Sequence, residues 1–308
     1  MKNAITSKYE IVAAFSGGAN RGAELLGYLQ NMNFKYDAIV TNSVTSLMAL
    51  HLKSKRFDDA EKLFRMVEHR DVFSRSPFLK SGKLNPWTLI SLGVSIFWHD
   101  VLRFGSGRSR LSLGDSRALR EYLDEMLSEE LFDYCKYSTG DVILTTYNQT
   151  KHEKTYTSIK DIDFEEFKDL QWISANAPLV MSHEYYRGNL MADGGVAEII
   201  PAKKAVDLAT KRVECYICRS FEEVWGPRRK EISSFFDNAE NIVQGLTLET
   251  IRADLEVARE AAKNKGLEFC EYYLCDKQSH PVYLFHQEII SDLLDKAGHR
   301  KLKTQRIN

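Results

Sequence analysis

What the chain has little of narrows the possibilities first. Its 42 lysines and arginines nearly balance 43 aspartates and glutamates, leaving a formal net charge of −1. No overall field therefore draws it to nucleic acid. With six prolines and 44% apolar residues, it lacks the bias of a disordered chain and can bury a sizeable core. Long hydrophobic runs are missing. The opening MKNAITSKYEIVAAF holds too short an apolar stretch for a secretory signal, and no segment approaches the roughly 20 apolar residues of a membrane-spanning helix. The nearest approach, 86–102, is interrupted by His99 and Asp100. A cytoplasmic protein with no nucleic-acid partner is expected.

Cysteine is also scarce: five, at 135, 215, 218, 270 and 275, which suits a reducing compartment. Cys215 and Cys218 have CxxC spacing, but ECYICRS reads as a strand, where residues three apart face opposite ways. Buried structural cysteines are expected there, not a zinc site. Nothing suggests a metal or cofactor. FSGGANRG (15–22) fails as a dinucleotide fingerprint because Ala19 stands where a glycine is needed, and it lacks the Gly-Lys-Ser/Thr ending of a phosphate loop. There is no Pro/Gly/Ser-rich linker and no internal repeat.

What is present alternates between periods. EIVAAF (10–15) reads as a buried strand, and NRGAELLGYLQNM as a helix with Ala23, Leu26, Leu29 and Met32 at helical spacing. DAIV is a second strand and SLMALHLK a second helix. FDDAEKLFRMVEH is a third helix burying Ala60, Leu63, Phe64 and Val67. DSRALREYLDEML follows, with Asp115 as its N-cap. DVILTTYN (141–148) is a strand, and WISANAP a helix stopped by Pro178. LMADGGVAEIIP is a strand entering a Gly-Gly turn. ECYICRS and LEFCEYYLC are strands separated by a helical stretch over 230–264, and FHQEIISDLLDKAG is a helix ended by Gly298. The basic AGHRKLKTQR reads as a solvated terminus. This alternation predicts an α/β fold, a three-layer α/β/α arrangement around a central, mainly parallel sheet. One domain over 1–308 is expected, with 70–114 as an excursion above the sheet.

Three motifs could carry chemistry. FSGGANRG sits at a strand-to-helix junction, where glycines and a helix N-terminus suit an anion or oxyanion, or simply a tight turn. Ser43 follows the next strand and could be a nucleophile on a sharp turn or an N-cap serine. Asp193, before Gly194 and Gly195, could be a turn residue or a carboxylate at the C-terminal edge of a parallel sheet.

Their order resembles the patatin-like phospholipase family, whose members carry S-G-G-G-x-R-G, then a G-x-S-x-G elbow, then a distant D-G-G. Here the first motif is Ser16, Gly17, Gly18, Ala19, Asn20, Arg21 and Gly22, with Ala19 in place of the third glycine, and Gly27 in ELLGYL is kept. YDAIVTNSVTSLMAL (36–50) aligns without a gap on F-D-x-I-x-G-T-S-x-G-A-L-x-A-L, replacing the elbow glycines by Thr41 and Thr45. ISANAPLVMSHEYYRGNLMADGGVAEIIP resembles A-S-x-A-x-P through Y-x-D-G-G-x-x-x-x-P. The likeness spans residues 9–215. It implies a Ser43–Asp193 dyad without histidine, an oxyanion hole from the Gly17, Gly18 and Ala19 amides, and support from Asn20, Arg21, Gly22, Gly194 and Gly195. Arg21 is expected to brace the loop. The implied activity is hydrolysis of phospholipid or lysophospholipid acyl esters through an acyl-enzyme. A catalytically silent lipid- or protein-binding module is the alternative.

Two further expectations follow. A Cβ at the elbow positions should crowd the opposing helix and strand, so Thr41 and Thr45 should press on the turn. The segment 86–104 is apolar nearly all round, which fits either a helix buried over the sheet or an interfacial lid with Arg103, Arg108 and Arg110 at headgroups. The histidines after Asp193, at 280, 286 and 299, sit in no loop that suits a Ser-acid-His triad, and His286 reads as structural.

Overall fold

The first strand shows how the core is divided. Along β1 (Tyr9–Phe15) Val12 and Ala14 join one apolar cluster, Ala13 and Phe15 the other, and none is exposed. This is the two-residue period of a strand buried on both faces. The computed structural model describes residues 8–32, 35–83, 85–96, 112–178, 180–181, 184–227, 235–275, 277, 280, 283–297 and 302–307.

Among these, nine strands form one sheet. Its centre is parallel: β3 (Asp141–Asn148), β2 (Ala38–Asn42), β1, β7 (Ala209–Ser220) and β8 (Glu268–Leu274), in that order. The edges are antiparallel. β4 (Glu153–Ser158) and β6 (Asn189–Asp193) both pair with β3, β5 (Glu184–Tyr186) pairs with β6, and β9 (Lys303–Ile307) pairs with β8. The three-layer α/β/α architecture is therefore as expected, with a mixed periphery. The basic tail corrects the expectation of a solvated end. Lys303–Ile307 pairs with β8, and Arg306 forms an ion pair with Glu268.

On one face lie α1 (Arg21–Gln30), the short α2 (Val44–Leu47) and α3 (Ala49–Ser54), α4 (Phe57–Met66) and α5 (His69–Val72). That layer is completed by helices from later in the chain. They are α7 (Arg117–Met126), α8 (Glu129–Tyr137) and α9 (Phe164–Ala175), which α6 (Pro86–Ile96) precedes in sequence. The opposite face is covered by α10 (Ala202–Leu208) and α12 (Phe235–Lys265), with α11 (Phe221–Trp225) between them in sequence. The last helix, α13 (Gln287–Ala297), returns to α1. Gly27 makes that contact possible, because a Cβ there would lie 2.8 Å from both Leu294 O and Ala297 Cβ. Cys215 and Cys218 enter opposite apolar clusters, so strand geometry separates the CxxC pair.

Several boundaries moved. The helix read in WISANAP begins at Phe164, where Asp163 caps it by accepting from Glu166 N at 2.9 Å. The cap of α7 is Ser116 rather than Asp115, whose Oδ1 accepts from Arg117 N two residues on. Within α6 the side chains of Trp87, Ile90 and Val94 are 74%, 53% and 51% exposed, so this face is not buried over the sheet. Residues 97–104, Arg108, Arg110, Gly298 and His299 lie outside the described residues.

Three aromatic rings in register fix the strand ends beneath the site. Phe15, Tyr216 and Tyr272 are neighbours across β1, β7 and β8. They stack with centroids 4.7 Å apart at each step. Each such pair contributes about 0.5–1.5 kcal/mol beyond area burial, and Phe15 leads directly into the glycine loop.

Candidate active site

Ser43 stands between β2 and α2 with φ 56° and ψ −131°. A non-glycine residue held there stores roughly 1–3 kcal/mol and persists only where its surroundings over-determine it. Here they do. Its amide donates to Ser174 Oγ at 3.1 Å, and Ser174 in turn donates to Thr145 O at 2.7 Å. The Ser43 hydroxyl does not cap α2; it lies in the same cleft as the Asp193 carboxylate, near enough to favour its ionised form.

Asp193 ends β6, opposite Thr146 of β3. Its amide donates to Asn176 O at 3.1 Å, and its Oδ1 accepts from Gly195 N at 2.7 Å. Burial pushes the carboxyl up to about 6, against the opposing Gly195 hydrogen bond and the nearby Ser43 hydroxyl. Gly194 permits the approach, since a Cβ on it would lie 2.6 Å from Asn42 Oδ1.

The glycine loop closes the third side. A Cβ on Gly17 would stand 3.0 Å from Ser43 Cβ and 3.6 Å from its Oγ, and one on Gly22 would lie 2.8 Å from Val44. One on Gly18 would collide with Cys218 Cβ. Ala19, where the family pattern has glycine, adopts a left-handed φ of 49°, which carries a cost of roughly 1 kcal/mol for a residue with a Cβ.

The amides of this loop are not equivalent. Gly17 N already donates to Ile199 O at 3.1 Å, which corrects its expected place in an oxyanion hole. Among the described residues nothing accepts from the Gly18 and Ala19 amides. Asn20 Nδ2 donates to Leu284 O at 3.0 Å. Arg21, 1% exposed, pairs with Glu24 at 2.9 Å and Glu223 at 3.1 Å, and it is not among the residues lining the cleft.

The elbow accommodates its threonines. Neither has a positive φ; that conformation falls on Ser43. Thr45 is fully buried, and its hydroxyl accepts from Asn42 N at 3.1 Å and donates to Asn42 O at 2.8 Å. Thr41 Oγ1 accepts from Ser46 Oγ at 3.2 Å, and Ser46 Oγ lies 2.8 Å from Ser174 Oγ. The expected crowding is thus replaced by a satisfied hydroxyl cluster that holds the turn from beneath.

A cleft of about 680 Å³ opens above Ser43 and Asp193. Leu47, Val72, Leu119, Met181 and Phe285 form one wall, while Arg219, Glu222, Glu223 and Lys277 form a charged one. Burial, then the nearby Arg21 charge, pulls the half-buried Arg219 below the ordinary guanidinium range. Tyr283 lines the cleft, its phenol pushed up by burial and then by the Asp193 charge. Val243 and Leu248 of α12 reach the mouth. No histidine of the described residues lines this cleft; His280 instead contacts Asp292 at 2.7 Å, and the His286 ring lies 5.2 Å from that of His69.

Sequence reasoning missed three supports. Ser174 lay unremarked within ISANAP. Asn42 Nδ2 donates to Glu198 O at 2.5 Å and Ile199 O at 3.2 Å, tying the elbow to the Asp-Gly-Gly turn. Asp254 on α12 accepts from the Ile199 and Ile200 amides at 2.8 and 3.1 Å. No local motif marks Asp254, which reaches the turn from 55 residues away.

Comparison with known proteins adds a family-level match. A family model described as Patatin-like phospholipase matches residues 13–206. Curated proteins return no match. Among solved structures, VipD from Legionella pneumophila aligns over 98% of this chain and 68% of its own, at 12% identity and a TM-score of 0.31.

Proposed function

The chain belongs to the patatin-like phospholipase family, and on that premise we propose that it is a serine acyl-ester hydrolase acting on phospholipid or lysophospholipid. Membership brings lipid acyl hydrolysis at the level of the family. The single observation that carries the finer reading is that Ser43, on its strained turn, and Asp193 face one cleft beside the unclaimed Gly18 and Ala19 amides.

In this reading the ionised Asp193 accepts the Ser43 proton as Oγ attacks the ester carbonyl. The carbonyl oxygen gains charge and is met by the Gly18 and Ala19 N–H groups, where one such donor is worth about 3–4 kcal/mol in other enzymes. Collapse expels the alcohol, which takes the proton from Asp193, and leaves an acyl-Ser43. Asp193 then draws a proton from water for deacylation. The apolar wall receives the acyl chain, and the mixed-charge wall of Arg219, Glu222, Glu223 and Lys277 faces the polar headgroup end.

Access to lipid comes from two exposed apolar faces. Trp87, Ile90 and Val94 share one side of α6. On α12, Ile242, Val243 and Leu246 are 53%, 63% and 65% exposed, and Val243 also lines the cleft. Both faces suit a peripheral contact with a membrane surface. The silent-module alternative draws on Thr41 and Thr45, but their satisfied hydroxyls leave Ser43 half-buried and reachable. The test is fatty-acid release from phosphatidylcholine vesicles and from lysophosphatidylcholine. Release by the wild type that disappears in Ser43→Ala and Asp193→Asn is expected. No release from either substrate, or release undiminished in Ser43→Ala, overturns the proposal.

A further inference from the structure

We propose that the Tyr283 hydroxyl is a further catalytic group, donating a hydrogen bond to the alcohol oxygen that leaves as Ser43 is acylated. The proposal rests on the hydrolase reading, since it assigns a task within that reaction. Tyr283 lines the cleft together with Ser43 and Asp193. Among the described residues nothing hydrogen-bonds to its hydroxyl, and that oxygen is not one of the sealed, unpartnered atoms of the interior. It therefore keeps accessible surface in the cleft that it lines. Its aim is fixed as well. The ring stacks on Phe78 at 5.4 Å with the two planes 6° apart, and Phe78 meets the buried Phe73 edge-on at 6.1 Å. Such pairs hold a ring in one orientation, so the core presents the phenol to a ligand. The next residue is tied to the glycine loop, because Leu284 O accepts from Asn20 Nδ2 at 3.0 Å.

Position selects the role. The carbonyl oxygen is met by the Gly18 and Ala19 amides, whereas the departing alcohol must lie beside Asp193, from which it takes its proton. Tyr283 belongs to that second side. Burial pushes its phenol up, the Asp193 charge adds to the effect and Arg219 opposes it. The hydroxyl is therefore protonated at neutral pH and available as a donor. As the bond from carbonyl carbon to alcohol oxygen breaks, negative charge gathers on that oxygen, and the phenol O–H meets it. Tyr283 keeps its proton throughout. The alcohol leaves with the proton that Asp193 took from Ser43, and the acyl carbon stays on Ser43 Oγ. A donor aimed at developing charge acts mainly in the transition state, so it raises turnover more than binding.

Tyr283→Phe keeps the ring and its stack on Phe78 and removes only the hydroxyl. The full-length wild type and this variant are compared on n-butyl butyrate and p-nitrophenyl butyrate, two esters of one acid, through kcat/KM, which reports acylation. Butoxide is a poor leaving group that needs a donor; p-nitrophenolate departs unaided. The variant should lose roughly ten- to hundredfold on the butyl ester, the yield of one hydrogen bond to a charged oxygen, and less than about twofold on the p-nitrophenyl ester. Equal losses on both esters, as a purely structural role would give, would overturn the inference. So would no loss on either, or a larger loss on the p-nitrophenyl ester. Those results leave the hydrolase reading standing, because the wild type still cleaves both. A wild type that cleaves neither ester overturns that reading and this inference with it.

Discussion

Asp193 is the group whose charge the proposed chemistry needs and whose burial the fold resists. Its carboxyl sits at about 6 rather than the ordinary 3.8, a displacement worth about 3 kcal/mol. The sign follows from proton linkage. Below about pH 4 the carboxyl is protonated in folded and unfolded chains alike and imposes no penalty. Between about 4 and 6 the unfolded chain ionises first, so stability is lost as pH rises through the folded value; above that the loss is complete. Asp193→Asn removes the charge while its Oδ1 can still accept from Gly195 N. The variant should therefore be more stable than wild type at pH 8 by about 1–3 kcal/mol, with the difference vanishing towards pH 4. Urea denaturation of both proteins across that range measures it. The same ionisation should set the pH profile of soluble-ester hydrolysis, rising through about 6 in the wild type and flat near background in Asp193→Asn. A variant less stable than wild type at pH 8, or a wild-type rate indifferent to pH between 5 and 7, would refute this reasoning.

Other substitutions test the surrounding scaffold. Gly17→Ala places a Cβ 3.0 Å from Ser43 Cβ and should lower soluble-ester turnover by about 100-fold or more, as misplacement of a reacting group does, while circular dichroism shows the fold retained. Ala19→Gly relieves the left-handed alanine and should raise stability by up to about 1 kcal/mol in thermal denaturation. Thr45→Val strips the hydroxyl from Asn42 N and should destabilise by about 1–3 kcal/mol, the cost of an unsatisfied buried amide. Replacing Trp87, Ile90 and Val94 together by serine should reduce activity on vesicles far more than on a soluble ester; equal losses would reject the membrane contact.

Much of the fold was legible because its periods are clean. β3 runs over the same eight residues that DVILTTYN suggests, and β1 and β8 differ from their motifs only at the ends. The mixed edges were not legible. LMAD reads as a strand but shows nothing of its antiparallel pairing, Tyr185 belongs to a strand too short to show a period, and the tail strand is rich in charge and lacks an apolar face. At the site, the local signals pointed to Ser43 and Asp193, but not to what holds them. Thr41 and Thr45 looked like obstacles because sequence displays their Cβ atoms and not their hydroxyl partners, which come from Asn42 and Ser46. Gly17 looked like an oxyanion donor because its engagement with Ile199 O spans 182 positions, visible only in space.

The central claim is that Ser43 is a nucleophile activated by Asp193. A fluorophosphonate probe, followed by intact mass and peptide mapping, tests it most directly. The account predicts one adduct on Ser43 in the wild type, none in Ser43→Ala, and much slower labelling of Asp193→Asn. An unlabelled wild type, or an adduct that persists in Ser43→Ala, would contradict it.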